Sequence, residues 1–296
     1  MRNMRDEMLH ITLMDGMVRG LLLTATETVR EAADIHQLSP VATAALGRAL
    51  MGTAMMGAML KGEGDSVTVT FAGGGPLGKM VCVADRHSVR GLVDAPNVDL
   101  PLRADGKLDV GGAVGNMGRI SVARDTGLKT PYVGQAPLVS GEIAEDFANY
   151  YVLSEQTPTL QSLGVLADAG GVVCAGGVLL QPLPGCKDEV ISQLELRSPL
   201  MADVSRELSQ CPMRELMEGW FQGLRPVVLE AGELCYRCTC TRERMERALI
   251  AMGRDELSRL IRENEEETEL SCHFCRRVER FSKPQLLKLL NRAQDA

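Results

Sequence analysis

The cysteines near the C-terminal end constrain this chain more than any other feature. Cys238-Thr239-Cys240 is a Cys-x-Cys pair and Cys272-His273-Phe274-Cys275 a Cys-x-x-Cys pair, with 31 residues, Thr241 through Ser271, between them. Two such pairs can give four thiolates to one tetrahedral Zn²⁺ at Zn–S distances near about 2.3 Å. Such a site keeps a net negative charge, and Arg237, Arg242, Arg244, Arg276 and Arg277 lie close in sequence to offset it. The surrounding segment is poor in large apolar residues and carries the acids Glu263, Glu265, Glu266, Glu267 and Glu269. So small and polar a module buries too little surface to fold alone. Metal binding, on the order of 10–16 kcal/mol in zinc-finger peptides, would supply most of its folding free energy. Oxidation of the thiolates removes the ligands and should unfold the module. A purely structural zinc knuckle is the plainer reading of a double pair, although Cys-x-Cys is a tighter pair than structural fingers generally use. The residues also leave a second register open. Cys235 and Cys238 form their own Cys-x-x-Cys, so Cys235, Cys238, Cys272 and Cys275 are an alternative set, with His273 a weaker ligand.

The other four of the nine cysteines, Cys82, Cys174, Cys186 and Cys211, are scattered. Met1 to Gly16 carries Asp6, Glu7, His10 and Asp15 where a secretory signal needs an apolar run. A cytoplasmic location is therefore expected, where reducing conditions favour metal binding or redox chemistry over structural disulfides. The net charge of −7 argues against nucleic acid as a main partner. Val41 to Leu60 is apolar enough to raise a membrane span, but it holds Arg48 and many Ala and Gly. With Ser39 as N-cap and Pro40 at the first helical position, it reads as a buried helix of a soluble domain.

The pattern before residue 185 is that of an α+β core domain, residues 1–184, with an antiparallel sheet and packed helices. Strand-like runs are Asp15 to Thr26, Ser66 to Ala72, Gly78 to Asp85, Ser88 to Val93, Arg119 to Ala123 and Tyr132 to Val139, then a hairpin of Gln161 to Ala167 and Gly171 to Gln181 turning at Ala169-Gly170-Gly171. Glu27 to His36 and Glu142 to Glu155 read as helices. The glycine-rich pieces Gly73 to Lys79 and Gly111 to Gly118 run into Val-rich strands rather than opening helices, so they are expected to be turns with positive φ and not phosphate loops. Pro182-Leu183-Pro184-Gly185 breaks the chain. A helical linker region, 185–232, follows with short helices over Asp188 to Leu196, Val204 to Gln210 and Met213 to Gly219, then a strand over Arg225 to Glu230. The zinc-binding redox-switch domain, 233–296, is expected to hold a charged helical region from Arg242 to Glu269 and a last helix from Lys283 to Ala296.

This constellation resembles the heat shock protein 33 family of redox-regulated chaperones. Cys238-Thr239-Cys240-Thr241-Arg242-Glu243-Arg244 and Cys272-His273-Phe274-Cys275 fit its zinc signature, and the likeness extends through Ser39 to Arg48, Tyr150 to Thr159 and Leu179-Leu180-Gln181-Pro182. The resemblance favours Cys238, Cys240, Cys272 and Cys275 as the ligands of one Zn²⁺ per reduced chain. It implies an ATP-independent holdase, not an enzyme, that is inactive while reduced and zinc-bound. Disulfides Cys238–Cys240 and Cys272–Cys275, zinc release, loosening of the linker, homodimerisation and capture of unfolded clients are implied on oxidation. Cys235, Cys211 and the basic run after Cys275 depart from the family's pattern.

A holdase needs apolar area that opens on activation. Leu208, Met213, Leu216, Met217, Trp220, Phe221 and Leu224 in the linker are the client-binding candidates; they would pack on the core while the protein is reduced. The competing readings are a thiol–disulfide oxidoreductase and a zinc-containing nucleic-acid-binding protein. The first needs Cys-x-x-Cys at a helix start in a βαβ unit, and the second a basic face with interleaved aromatics.

Overall fold

The computed structural model describes residues 5–128, 130–168, 170–263 and 267–292. Ala169 of the expected hairpin turn, Glu265 and Glu266 of the acidic run, and the last four residues of the expected terminal helix lie outside them. The chain divides into two compact units, Met1–Arg237 and Cys238–Ala296.

The first unit contains β1 (Glu7–Leu13), β2 (Val18–Thr24), α1 (Thr26–His36), α2 (Pro40–Ala58), β3 (Ser66–Ala72), β4 (Lys79–Ala84), β5 (Ser88–Val93), α3 (Val110–Val114), β6 (Arg119–Asp125), β7 (Tyr132–Pro137), α4 (Ala144–Glu155), β8 (Leu160–Asp168) and β9 (Gly171–Pro182). These are followed by α5 (Asp188–Met201), α6 (Val204–Leu208), α7 (Met213–Trp220), β10 (Val227–Glu233) and β11 (Cys235–Tyr236). The strands form a five-stranded sheet, β10-β1-β2-β9-β8, and a six-stranded sheet, β11-β5-β4-β3-β6-β7. Every pairing is antiparallel except that of β11 with β5.

The long apolar helix α2 lies against β8 and β9 of one sheet and β3, β4 and β5 of the other. It is apolar all round because it is buried nearly all round. Its glycines are steric requirements: a Cβ at Gly52 would stand 2.1 Å from the Phe147 ring. Arg48 reaches the rim of this core, where Glu142 accepts from it at 2.7 Å. No described helix is long and apolar enough to cross a membrane.

The five-stranded sheet is apolar on both faces. Met8, Leu21, Leu23 and Leu163 join the core around α2, whereas Leu9, Ile11, Leu13, Leu22, Val178 and Leu180 face Val190, Leu194, Met213, Met217 and Trp220 from α5 and α7. Neighbouring residues of one strand therefore feed opposite cores.

Three expectations shift. The first linker helix continues to Met201 through Pro199. Proline removes the amide that would bond Glu195, and Ser198 Oγ donates to that carbonyl at 2.9 Å instead. The linker strand is displaced to Val227–Glu233 because Arg225 takes a left-handed φ of 50° and delays pairing. The glycine-rich 111–118 stretch begins inside the short helix α3, capped by Asp109, before Gly115 turns it at φ 75°. Gly73–Gly78 is a turn with positive φ at Gly74 and Gly78.

The second unit contains α8 (Arg242–Ala251), α9 (Arg254–Glu263), β12 (Glu267–Ser271), β13 (Val278–Ser282) and α10 (Lys283–Arg292). Its core is small: Met245, Leu249, Leu257, Ile261, Phe281, Leu286 and Leu289. The helical region does not reach Glu269. Gly253, at φ 90°, separates α8 from α9, and Glu267–Ser271 is a strand paired with β13.

Candidate metal centre

Two local structures present the cysteines. Cys238 and Cys240 precede α8, whose N-cap Thr241 accepts from the Arg244 amide. Cys272 and Cys275 lie in the turn of the β12–β13 hairpin. There the Cys272 amide donates to the Arg277 carbonyl and the Arg276 amide to the Cys272 carbonyl, both at 2.8 Å, with Arg276 left-handed. Arg242 ties the two segments. Its guanidinium donates to Glu279 at 3.0 Å, to the Arg280 carbonyl at 3.0 Å and to Gln285 at 3.1 Å, and lies 4.4 Å from the centre of the Phe281 ring.

All four sulfurs lie within 4.8 Å of one another. Cys238 Sγ is 3.6 Å from Cys272 Sγ, and Cys240 Sγ is 3.3 Å from Cys275 Sγ. Thiolates on a tetrahedral ion at about 2.3 Å stand about 3.8 Å apart, so the group fits a thiolate-bound metal ion in number, donor type and spacing. Cys240 and Cys272 also pack against the unit's core.

The thiols are held unequally. Burial pushes Cys240 well above its ordinary value, and the sulfurs of Cys275, Cys238 and Cys272 push it further. Burial also raises Cys238, against the amide and thiol of Cys240. Burial acts to raise Cys272 too, but the amides of Cys275 and Phe274 donate to its sulfur and bring it below its ordinary value. A divalent ion would offset the repulsion that resists ionisation of the others.

Of the five clustered cysteines in the sequence, the structure brings four together. Cys235 is exposed in β11 of the first unit, its Sγ 3.9 Å from the His87 carbonyl. Arg237, expected to offset thiolate charge, pairs with Asp85 at 3.7 Å and donates to Ser88 Oγ. Arg244 donates to Thr239 Oγ1. Arg242, expected from the sequence only to offset thiolate charge, holds the two cysteine-bearing segments together through Glu279, the Arg280 carbonyl and Gln285. The hairpin placement of Cys272 and Cys275 lacks the helix N-terminus that a thioredoxin-like Cys-x-x-Cys uses.

The linker's client-binding candidates form part of the first unit's second core. Met213, Leu216, Met217, Trp220, Phe221 and Leu224 are buried and Leu208 is partly buried, all in the cluster that includes the outer face of the five-stranded sheet.

The chain has close counterparts among known proteins in sequence and in fold. The family model described as Hsp33 protein matches residues 6–282. The 33 kDa chaperonin of Ruminiclostridium cellulolyticum is 45% identical over 281 residues, covering 94% of this chain and 96% of that protein. That of Alkaliphilus metalliredigens is 42% identical, covering 97% and 99%. The crystal structure of the Thermotoga maritima 33 kDa chaperonin superposes with a TM-score of 0.89 at 36% identity, covering 99% of this chain and all of that one. Over nearly its whole length, then, in sequence and in fold, this chain belongs to the Hsp33 family.

Proposed function

We propose that this chaperone is a redox-regulated, ATP-independent holdase, silent while reduced and zinc-bound and activated by oxidation of Cys238, Cys240, Cys272 and Cys275. The gathering of four sulfurs within 4.8 Å in a unit with so small a core carries this reading. Bound zinc supplies a divalent charge that lets four thiolates share one site. Through that ion the cysteines would also join the segment before α8 to the β12–β13 hairpin, which the unit's small core holds only weakly.

Activation is written as two disulfides, Cys238–Cys240 and Cys272–Cys275, in line with the family's pattern. Each forms one S–S bond from two thiols, and a peroxide takes up the two electrons and two protons and leaves as water. The ligand set is then lost and the second unit unfolds. In functional terms the chain is a core (1–184), a linker (185–232) and a redox module (233–296), even though the linker packs within the first compact unit. Release of the linker bares both its own apolar residues, Trp220 and Met217 among them, and the outer face of the five-stranded sheet. That surface serves unfolded clients and a second activated copy, in the cytoplasm.

The test compares reduced, zinc-loaded protein with peroxide-treated protein. Light scattering of an unfolding client, zinc captured by a chromogenic chelator and disulfide mapping by mass spectrometry are read in parallel. Suppression that appears only after oxidation, with zinc released, is expected. Equal suppression before and after oxidation removes the switch, and a Cys235–Cys238 bond would replace the proposed pairing.

A further inference from the structure

One continuous segment, Val227–Arg237, closes an edge of each sheet in the first unit: β10 runs along β1, and β11 runs along β5. The two strands are held by different means. β11 is held by a side chain, since Tyr236 is buried and its Oη donates to the Gly91 carbonyl at 2.9 Å. β10 is held mainly by its backbone. Val227 and Leu229 are 52% and 67% exposed, and Glu230, Ala231 and Glu233 also face solvent, while Val228 alone packs on the linker's core. Its pairing is also broken. The register slips between His10 and Ile11, leaving Leu229 as a bulge. The ion pairs on and beside it, Arg5–Glu233, Arg86–Glu230 and Arg225–Asp15, are exposed and add little.

We propose that the β1 edge is a client-docking site that pairs, once β10 has left it, with an extended segment of an unfolded polypeptide. This rests on the linker release proposed above. β10 itself shows what the edge accepts: a seven-residue extended strand, taken with little reading of its side chains. Main-chain pairing suits a surface that must hold many unrelated sequences, because every non-proline residue offers the same donor and acceptor. The edge also borders the face carrying Leu9, Ile11 and Leu13, which the linker helices would have vacated. A docked segment with an apolar residue at every second position would lay those side chains on that face, as Val228 does now.

The test uses the full oxidised chain and a synthetic heptapeptide of the β10 sequence, Val227–Glu233, with a twin N-methylated at alternate residues. The twin keeps the side chains and loses the edge-facing donors. The plain peptide should relieve suppression of client aggregation, and the twin should need about tenfold more for the same effect. In parallel, hydrogen–deuterium exchange should show the alternate amides of residues 7–13 that face β10 losing protection on oxidation and regaining it with client, while those bonded to β2 stay protected. Equal potency of the peptides, no effect of either, or unchanged protection of β1 on oxidation would overturn the proposal while suppression itself persists. Protection that returns with rising protein concentration alone assigns the edge to a second copy and also overturns it. Absence of any suppression by the oxidised chain removes the holdase reading and this proposal together.

Discussion

His10 sits in β1 opposite Glu230 of β10, where the register slips. Burial holds its pKa below the ordinary 6.5; Glu230 works against that shift and Arg86 with it. The folded chain thus prefers the neutral ring. The stability this contributes is complete above about pH 6.5 and is lost as pH falls from there through the depressed folded value, because the unfolded chain takes up its proton first. Urea midpoints of the reduced protein should fall across that window, and His10→Gln should flatten that part of the slope. An unchanged slope in the variant would move the effect to another group. Gly52 is another position where one residue decides packing, since only the absence of a Cβ lets the Phe147 ring lie on α2.

Among elements, the linker helices depend most on what they pack against. α6 and α7 span five and eight residues, and α5 carries a proline in its last turn, so none is stable without the sheet beneath it. Their hold is the cluster around Trp220 and Phe221, whose rings meet edge to face with centroids 6.4 Å apart. Phe221→Ala, at a fully buried position, should weaken docking by about 3–5 kcal/mol. Trp220 is the only tryptophan, so its emission reports the docked linker directly. A red shift in the reduced variant, with the metal still bound and the linker more open to protease, is the expected result. An unshifted emission maximum would mean that the linker is held mainly elsewhere.

At the scale of the whole molecule, the two units differ in what stabilises them. The first has a central buried helix, two sheets and a second apolar layer; the second has, among its described residues, seven buried apolar side chains and four gathered sulfurs. Removing metal from the reduced protein with a chelator should therefore melt the second unit while the first keeps its own thermal transition. Calorimetry with and without added zinc checks this, and a single transition insensitive to chelator would contradict it.

The sequence by itself determined that Cys272 and Cys275 form a close pair able to hold a metal, the buried character of α2 and most strands of the core. Each of these is local: a spacing, an N-cap followed by proline, an alternation of apolar residues. Leu9, Ile11 and Leu13 alternate as a strand should, but so short a pattern fixes neither the partners of β1 nor its place between β10 and β2. The charge pattern of Glu267–Glu269 suits helix as well as strand; pairing with β13 makes Glu267–Ser271 a strand and so puts Cys272 and Cys275 in a hairpin turn. The choice between Cys235 and Cys240 could not be read from spacing, since both registers satisfy it. Tertiary structure placed Cys235 on β11 and Cys240 beside Cys275, for a physical reason: Tyr236 is drawn into the first unit's core, whereas Cys240 packs on that of the second.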